Sequence, residues 1–166
     1  MTIVNRVAQN ESLEVVDLEE VYPKAYVFSM LDIADWLFQE QILREKEFRN
    51  FVEAHNWAQY QDQVLILTCR TQAILPSWAY LLLTSKAQGI AKQTVLAKRD
   101  FITQYYHQYI LNLDTTLYQD KIVMLKGCSK HEIPQEIYMA FIEKIQPVVR
   151  RISYGEACSS VPVYKK

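Results

Sequence analysis

The chain of 166 residues sets 18 Lys and Arg against 19 Asp and Glu, so its formal charge of −1 advertises neither a nucleic-acid surface nor an acidic tail. Half of its residues are hydrophobic, enough to fill the core of one α/β domain covering residues 1–166. The three glycines, Gly89, Gly127 and Gly155, lie too far apart to build G-x-G-x-x-G or G-x-x-x-x-G-K-[ST], which excludes a glycine-rich nucleotide loop and, with it, a nucleotide cofactor. Absence of G-x-S-x-G, H-E-x-x-H and C-x-x-C removes several hydrolase, zinc-protease and thioredoxin-type chemistries.

Residues 1–24 read as an N-terminal arm. The start, Met1-Thr2-Ile3-Val4-Asn5-Arg6, runs into polar Gln9-Asn10-Glu11-Ser12 and not into an apolar signal core, which points to the cytoplasm. Apolar runs such as Ala79-Tyr80-Leu81-Leu82-Leu83 fall far short of the ~20 residues a membrane helix needs, so no membrane partner is expected. Residues 25–31 suit a strand, and residues 45–55, with Phe48, Phe51 and Val52 apolar, suit a helix.

An internal repeat follows. Tyr60-Gln61-Asp62-Gln63-Val64-Leu65-Ile66-Leu67 lies over Tyr118-Gln119-Asp120-Lys121-Ile122-Val123-Met124-Leu125 at an offset of 58 residues. After one inserted residue Cys69 falls on Cys128, and after a compensating gap Pro76, Tyr80, Lys86 and Gln88 fall on Pro134, Tyr138, Lys144 and Gln146. Each copy, residues 60–97 and 118–154, reads as strand, polar loop with Cys, helix opened by Pro, and second strand, a βαβ unit. Between the copies Asp100 caps a helical run whose Phe101, Tyr105 and Tyr109 form a stripe suited to packing on a sheet. The expected architecture is therefore three-layer α/β/α, with one mainly parallel sheet of about five strands built from the two repeats.

The strings Asp35-Trp36-Leu37-Phe38, Leu43-Arg44-Glu45-Lys46-Glu47-Phe48-Arg49, Ile74-Leu75-Pro76-Ser77-Trp78-Ala79-Tyr80, Lys126-Gly127-Cys128-Ser129 and the run from Tyr154-Gly155-Glu156 through Pro162-Val163-Tyr164 resemble an uncharacterised family, domain of unknown function 2480. The resemblance spans almost the whole chain. It implies a bacterial source of the Bacteroidetes type and supplies no catalytic residue to carry over.

Loops leaving the carboxyl ends of parallel strands gather on one sheet edge, where ligands bind. Cys69 and Cys128 sit in such loops, and Cys158 follows the last parallel strand. Three soft thiolates there would hold zinc or a labile iron–sulfur cluster, with His131 or an open position as the fourth ligand. Free cysteine is also a small hydrophobe, so burial in the core competes with this reading. A second class uses Cys128 as a nucleophile with His131 as its base. A third is a partner-binding or assembly protein whose 11 Tyr and 3 Trp serve an interface with a protein, a small molecule or a second copy. His55 reads as a helix-end residue and His107 as a helix-face residue. Lys92, Lys98, Arg99, Arg150 and Arg151 read as surface charges, with anion binding at a sheet edge as their alternative.

Overall fold

The computed structural model describes residues 12–127, 130–156 and 159–166. In chain order these form β1 (Leu13–Val16), β2 (Phe28–Asp32), α1 (Glu45–Ala54), β3 (Val64–Thr68), α2 (Ser77–Ala87), β4 (Gln93–Val95), α3 (Lys98–Leu111), β5 (Ile122–Leu125), α4 (Gln135–Ile145), β6 (Arg151–Tyr154) and β7 (Val161–Lys165). Short 3-10 turns at Leu18–Val21, Ile33–Trp36, Trp57–Tyr60 and Thr115–Tyr118 stand beside the strands. The strand and helix readings of the sequence are met, with boundaries moved by a few residues.

The strands are divided between two sheets, of order β2-β3-β4 and β1-β5-β6-β7, and not gathered into one of five. Each β-α-β crossover yields only two parallel strands, and each recruits its third from a different segment: β2 pairs with β3, and β1 pairs with β5. The N-terminal segment expected as an arm thus supplies β1. All of these pairings are parallel; β7 alone runs antiparallel, against β6, with a register irregularity between Ile152 and Ser153.

The chain divides into two compact units, Met1–Pro23 with Ile102–Lys166 and Lys24–Phe101. In the second, β3 carries the uninterrupted apolar run Val-Leu-Ile-Leu and is buried on both faces, as a central parallel strand should be. Leu65 and Leu67 share one core cluster with Phe48 and Val52 of α1 and Ala79, Leu83 and Ala87 of α2, positions four residues apart on one stripe of each helix. In the first unit Val123, Leu125 and Ile152 are buried with Ile137, Phe141 and Ile145 of α4. Of the expected α3 stripe Phe101 is buried, while Tyr105 and Tyr109 are only half-buried and the residues one position on, Tyr106 and Ile110, are buried with Ile102. The reason is polar: the Tyr106 hydroxyl donates to the Leu18 carbonyl at 2.7 Å, which lets the whole ring be buried without an unpaired oxygen.

Both crossovers are closed by the same backbone bonds at positions 58 residues apart. Asp62 N–H donates to Ile90 O at 2.9 Å and Lys92 N–H to Gln63 O at 2.8 Å; Asp120 N–H donates to Val148 O and Arg150 N–H to Lys121 O, each at 2.8 Å. The turn before each strand bends through a left-handed residue, Asp62 at φ 59° and Asp120 at φ 55°. Aspartate tolerates that conformation better than most side chains, which explains its presence at both places.

The turn geometry carries a test. Asp62→Gly and Asp120→Gly are expected to hold or raise stability by up to about 1 kcal/mol, while Val at either position costs about 1–2 kcal/mol, read from urea unfolding.

Candidate functional site

In the second unit the carboxyl edge of the sheet is closed by ion pairs. Asp32 ends β2 and turns the chain by accepting from Ala34 N–H at 3.0 Å. Its two oxygens also take the backbone N–H of Arg70 at 3.2 Å and the Arg70 guanidinium at 2.9 Å. That guanidinium reaches Asp35 at 2.6 Å and Glu40 at 2.9 Å as well, so three carboxylates surround it. Burial raises the Asp32 pKa, but the hydrogen bonds from Arg70 and Ala34 outweigh it and hold the carboxyl below its ordinary 3.8. The hydrogen bonds to Asp32, Asp35 and Glu40 push Arg70 further up, so it stays a fixed cation. Cys69 lies in this loop, half-buried, with its sulfur 3.4 Å from Thr71 Oγ1, while that hydroxyl donates to Glu40 O at 2.6 Å.

The first unit builds the same edge with different chemistry. Asp17, after β1, takes Glu19 N–H at 3.0 Å, as Asp32 takes Ala34 after β2. Where the second unit has Ala34, the first has Glu19, a carboxylate only 9% exposed. Glu19 Oε1 accepts the backbone N–H of Lys130 at 2.7 Å and of His131 at 3.4 Å, tying down the loop after β5. The His131 ring stacks on Tyr22 at 4.0 Å between centroids and 10° between planes. The loop's other end lies under Tyr154: a Cβ on Gly127 would meet the Tyr154 hydroxyl at 3.0 Å, so a larger residue there would have to push the Tyr154 ring aside. Gly155 N–H donates to Leu125 O at 2.9 Å, joining the ends of β5 and β6.

Of the four residues expected to share a metal, Cys128 and Cys158 lie outside the described residues. Cys69 belongs to the second unit and His131 to the first. Among the described residues no group of three or more His, Cys, Asp or Glu side chains is arranged to hold a metal ion. His55 sits at the C-terminal end of α1, as expected, with Nε2 2.9 Å from the Tyr60 hydroxyl; burial lowers its pKa. His107 is exposed on α3. Of the candidate anion-binding cations, Lys92, Arg150 and Arg151 stand at amino ends of strands, while Lys98 and Arg99 open α3 after β4. Lys92 and Lys98 lie over the Tyr26 and Phe28 rings at 4.4 and 4.7 Å.

Glu19 and Tyr22 went unnoticed in the sequence because they stand in the supposed arm. A signal existed: an Asp closing a short apolar run, whose side chain can accept the backbone N–H two residues on, marks a side-chain-capped turn at Asp17, and the pattern is repeated at Asp32.

The family model described as "Protein of unknown function (DUF2480)" matches residues 1–166. Neither a curated protein nor a solved structure matches the chain. No helix among the described residues is long and apolar enough to cross a membrane.

The Arg70 network predicts a pH-dependent loss. Because folding depresses the Asp32 pKa, its contribution is complete above the ordinary value of 3.8 and disappears as pH falls through the folded value. Asp32→Asn should therefore cost up to about 1 kcal/mol in chemical unfolding at pH 7, with the gap to the unmodified chain closing in strongly acidic buffer.

Proposed function

We propose, for a chain that belongs over residues 1–166 to the DUF2480 family of proteins of unknown function, that its working site is a soft-metal centre at the carboxyl edge of the four-stranded sheet, held by Cys128, Cys158 and His131. Zinc or a labile iron–sulfur cluster suits these donors, because thiolates are soft anions and imidazole accepts the same metals. The observation that carries the reading is the joining of the loop flanks. β5 and β6 are neighbouring parallel strands, Gly127 directly precedes Cys128, and its missing Cβ faces Tyr154. Gly155, three residues before Cys158, donates to the last residue of β5. His131, three residues after Cys128, is fixed by its stack on Tyr22.

Three protein ligands would leave a fourth position for water or a substrate oxygen, and a metal held by them would supply Lewis-acid chemistry there. Cys69 takes no part in this reading, since its loop is closed by Arg70 and three carboxylates within the second unit. The two units are copies of one βαβ module, one carrying the site and the other a loop of salt bridges. A reducing cytoplasm would keep the thiols available. Nucleophilic use of Cys128 is the weaker reading, because the Lys130 and His131 amides that an oxyanion would need are directed at Glu19.

Elemental analysis of protein purified without oxygen tests this. About one equivalent of zinc, or iron with acid-labile sulfide, is expected, lost in Cys128→Ser and Cys158→Ser, reduced in His131→Ala and kept in Cys69→Ser. Metal-free protein with one rapidly alkylated thiol would overturn the proposal in favour of thiol chemistry.

A further inference from the structure

Each unit has a groove between the strand that ends its crossover and the crossover helix. In the first unit it encloses 450 Å³ and is lined by Leu125, Gln135, Tyr138, Met139, Ile142 and Tyr154. In the second it encloses 340 Å³ and is lined by Leu67, Ser77, Tyr80, Leu81, Thr84 and Leu96, the same six positions 58 residues earlier.

The grooves differ in one wall. In the first unit β7 runs antiparallel beside β6 and brings Val163 to the groove. In the second unit β4 occupies the place of β6 and is the last strand of its sheet; among the described residues no strand pairs with its outer side. The effect shows in exposure: Leu96 is 61% exposed where its counterpart Tyr154 is 40%. Leu81 beside it is exposed too. Unpaired edges are ordinarily guarded by brevity, Lys, Pro or a bulge; β4 is short and follows Lys92, but Thr94-Val95-Leu96 itself holds no charge, Pro or bulge.

We infer that the outer edge of β4 and its groove bind an extended segment of a partner protein, added antiparallel to β4 in the manner of β7, with apolar residues at alternate positions directed toward Leu81 and Leu96. Main-chain hydrogen bonds would supply affinity and the groove would select the side chains. The occupant's chemistry is taken from the chain itself, since the strand completing the equivalent groove is Val161-Pro162-Val163-Tyr164-Lys165. A segment with apolar residues facing inward suits a groove in which these six lining residues carry no charge.

The probe is a peptide of residues 160–166, titrated into the isotope-labelled full chain while amide shifts of Thr94, Val95 and Leu96 are followed. Saturable binding with Kd of about 1 mM or tighter is expected there, weakened at least about tenfold by Leu96→Asp. Leu96 is largely exposed, so this variant should fold; its dispersion in the same spectra checks that. The fully N-methylated peptide keeps the side chains but donates no backbone hydrogen bond, and it should not bind. No shift at these amides, equal binding by the N-methylated peptide, or an unmodified chain that is dimeric through this edge and made monomeric by Leu96→Asp would each overturn the inference.

Discussion

Two backbone hydrogen bonds at the start of each crossover govern the rest of this structure. In a parallel pair the strands are joined by a long excursion, and nothing local fixes which residue faces which. Here the amide of Asp62 or Asp120 reaches across to the residue leaving the helix, and the amide of Lys92 or Arg150 returns to the strand just begun. The pair fixes register at the amino end, where Val64 faces Gln93 and Ile122 faces Arg151. A one-residue slip would turn Leu65 and Leu67, or Val123 and Leu125, away from the helices that cover them. The cost is a left-handed aspartate before each strand.

Fixed register at one end makes the other end a defined place, and the two units use that place differently. After β2 and β3 the loops are cross-tied by one arginine among Asp32, Asp35 and Glu40, an arrangement whose charges satisfy one another. After β1 and β5 a buried glutamate instead takes the backbone amides of Lys130 and His131. In the proposed reading one loop is spent on structure and its counterpart on a ligand. The asymmetry is of a kind loops permit: a strand-helix-strand core can be kept while the loops around it differ.

The parallel crossovers were legible in the sequence because the offset of 58 aligned apolar strands, helix-opening prolines and a Tyr-Gln-Asp turn at once. What escaped was partnership between strands. Leu13-Glu14-Val15-Val16 is too short and too mixed to announce that it pairs with residues more than a hundred positions away, so β1 was hidden in an arm and one sheet was expected in place of two. Beyond Phe101, which is buried as expected, burial on α3 falls on Tyr106 in place of Tyr105 because Tyr106 finds a carbonyl at Leu18, a long-range bond that helical periodicity cannot reveal. At the site, His131 was visible as a titratable residue beside a cysteine. Its support, Glu19 and Tyr22, came from a chain segment with no catalytic spacing to it. Arg70 directly follows Cys69 in the sequence, but its three carboxylates lie 30 to 38 residues upstream.

Native-state hydrogen exchange at four amides, Asp62, Lys92, Asp120 and Arg150, addresses the duplicated crossover most directly. If both crossovers are closed as described, all four exchange far more slowly than exposed loop amides, and counterparts 58 residues apart are protected to within about tenfold of each other. Exchange of either pair at the rate of unstructured chain would contradict the account, because that crossover would then lack the bonds on which its register and its carboxyl edge depend.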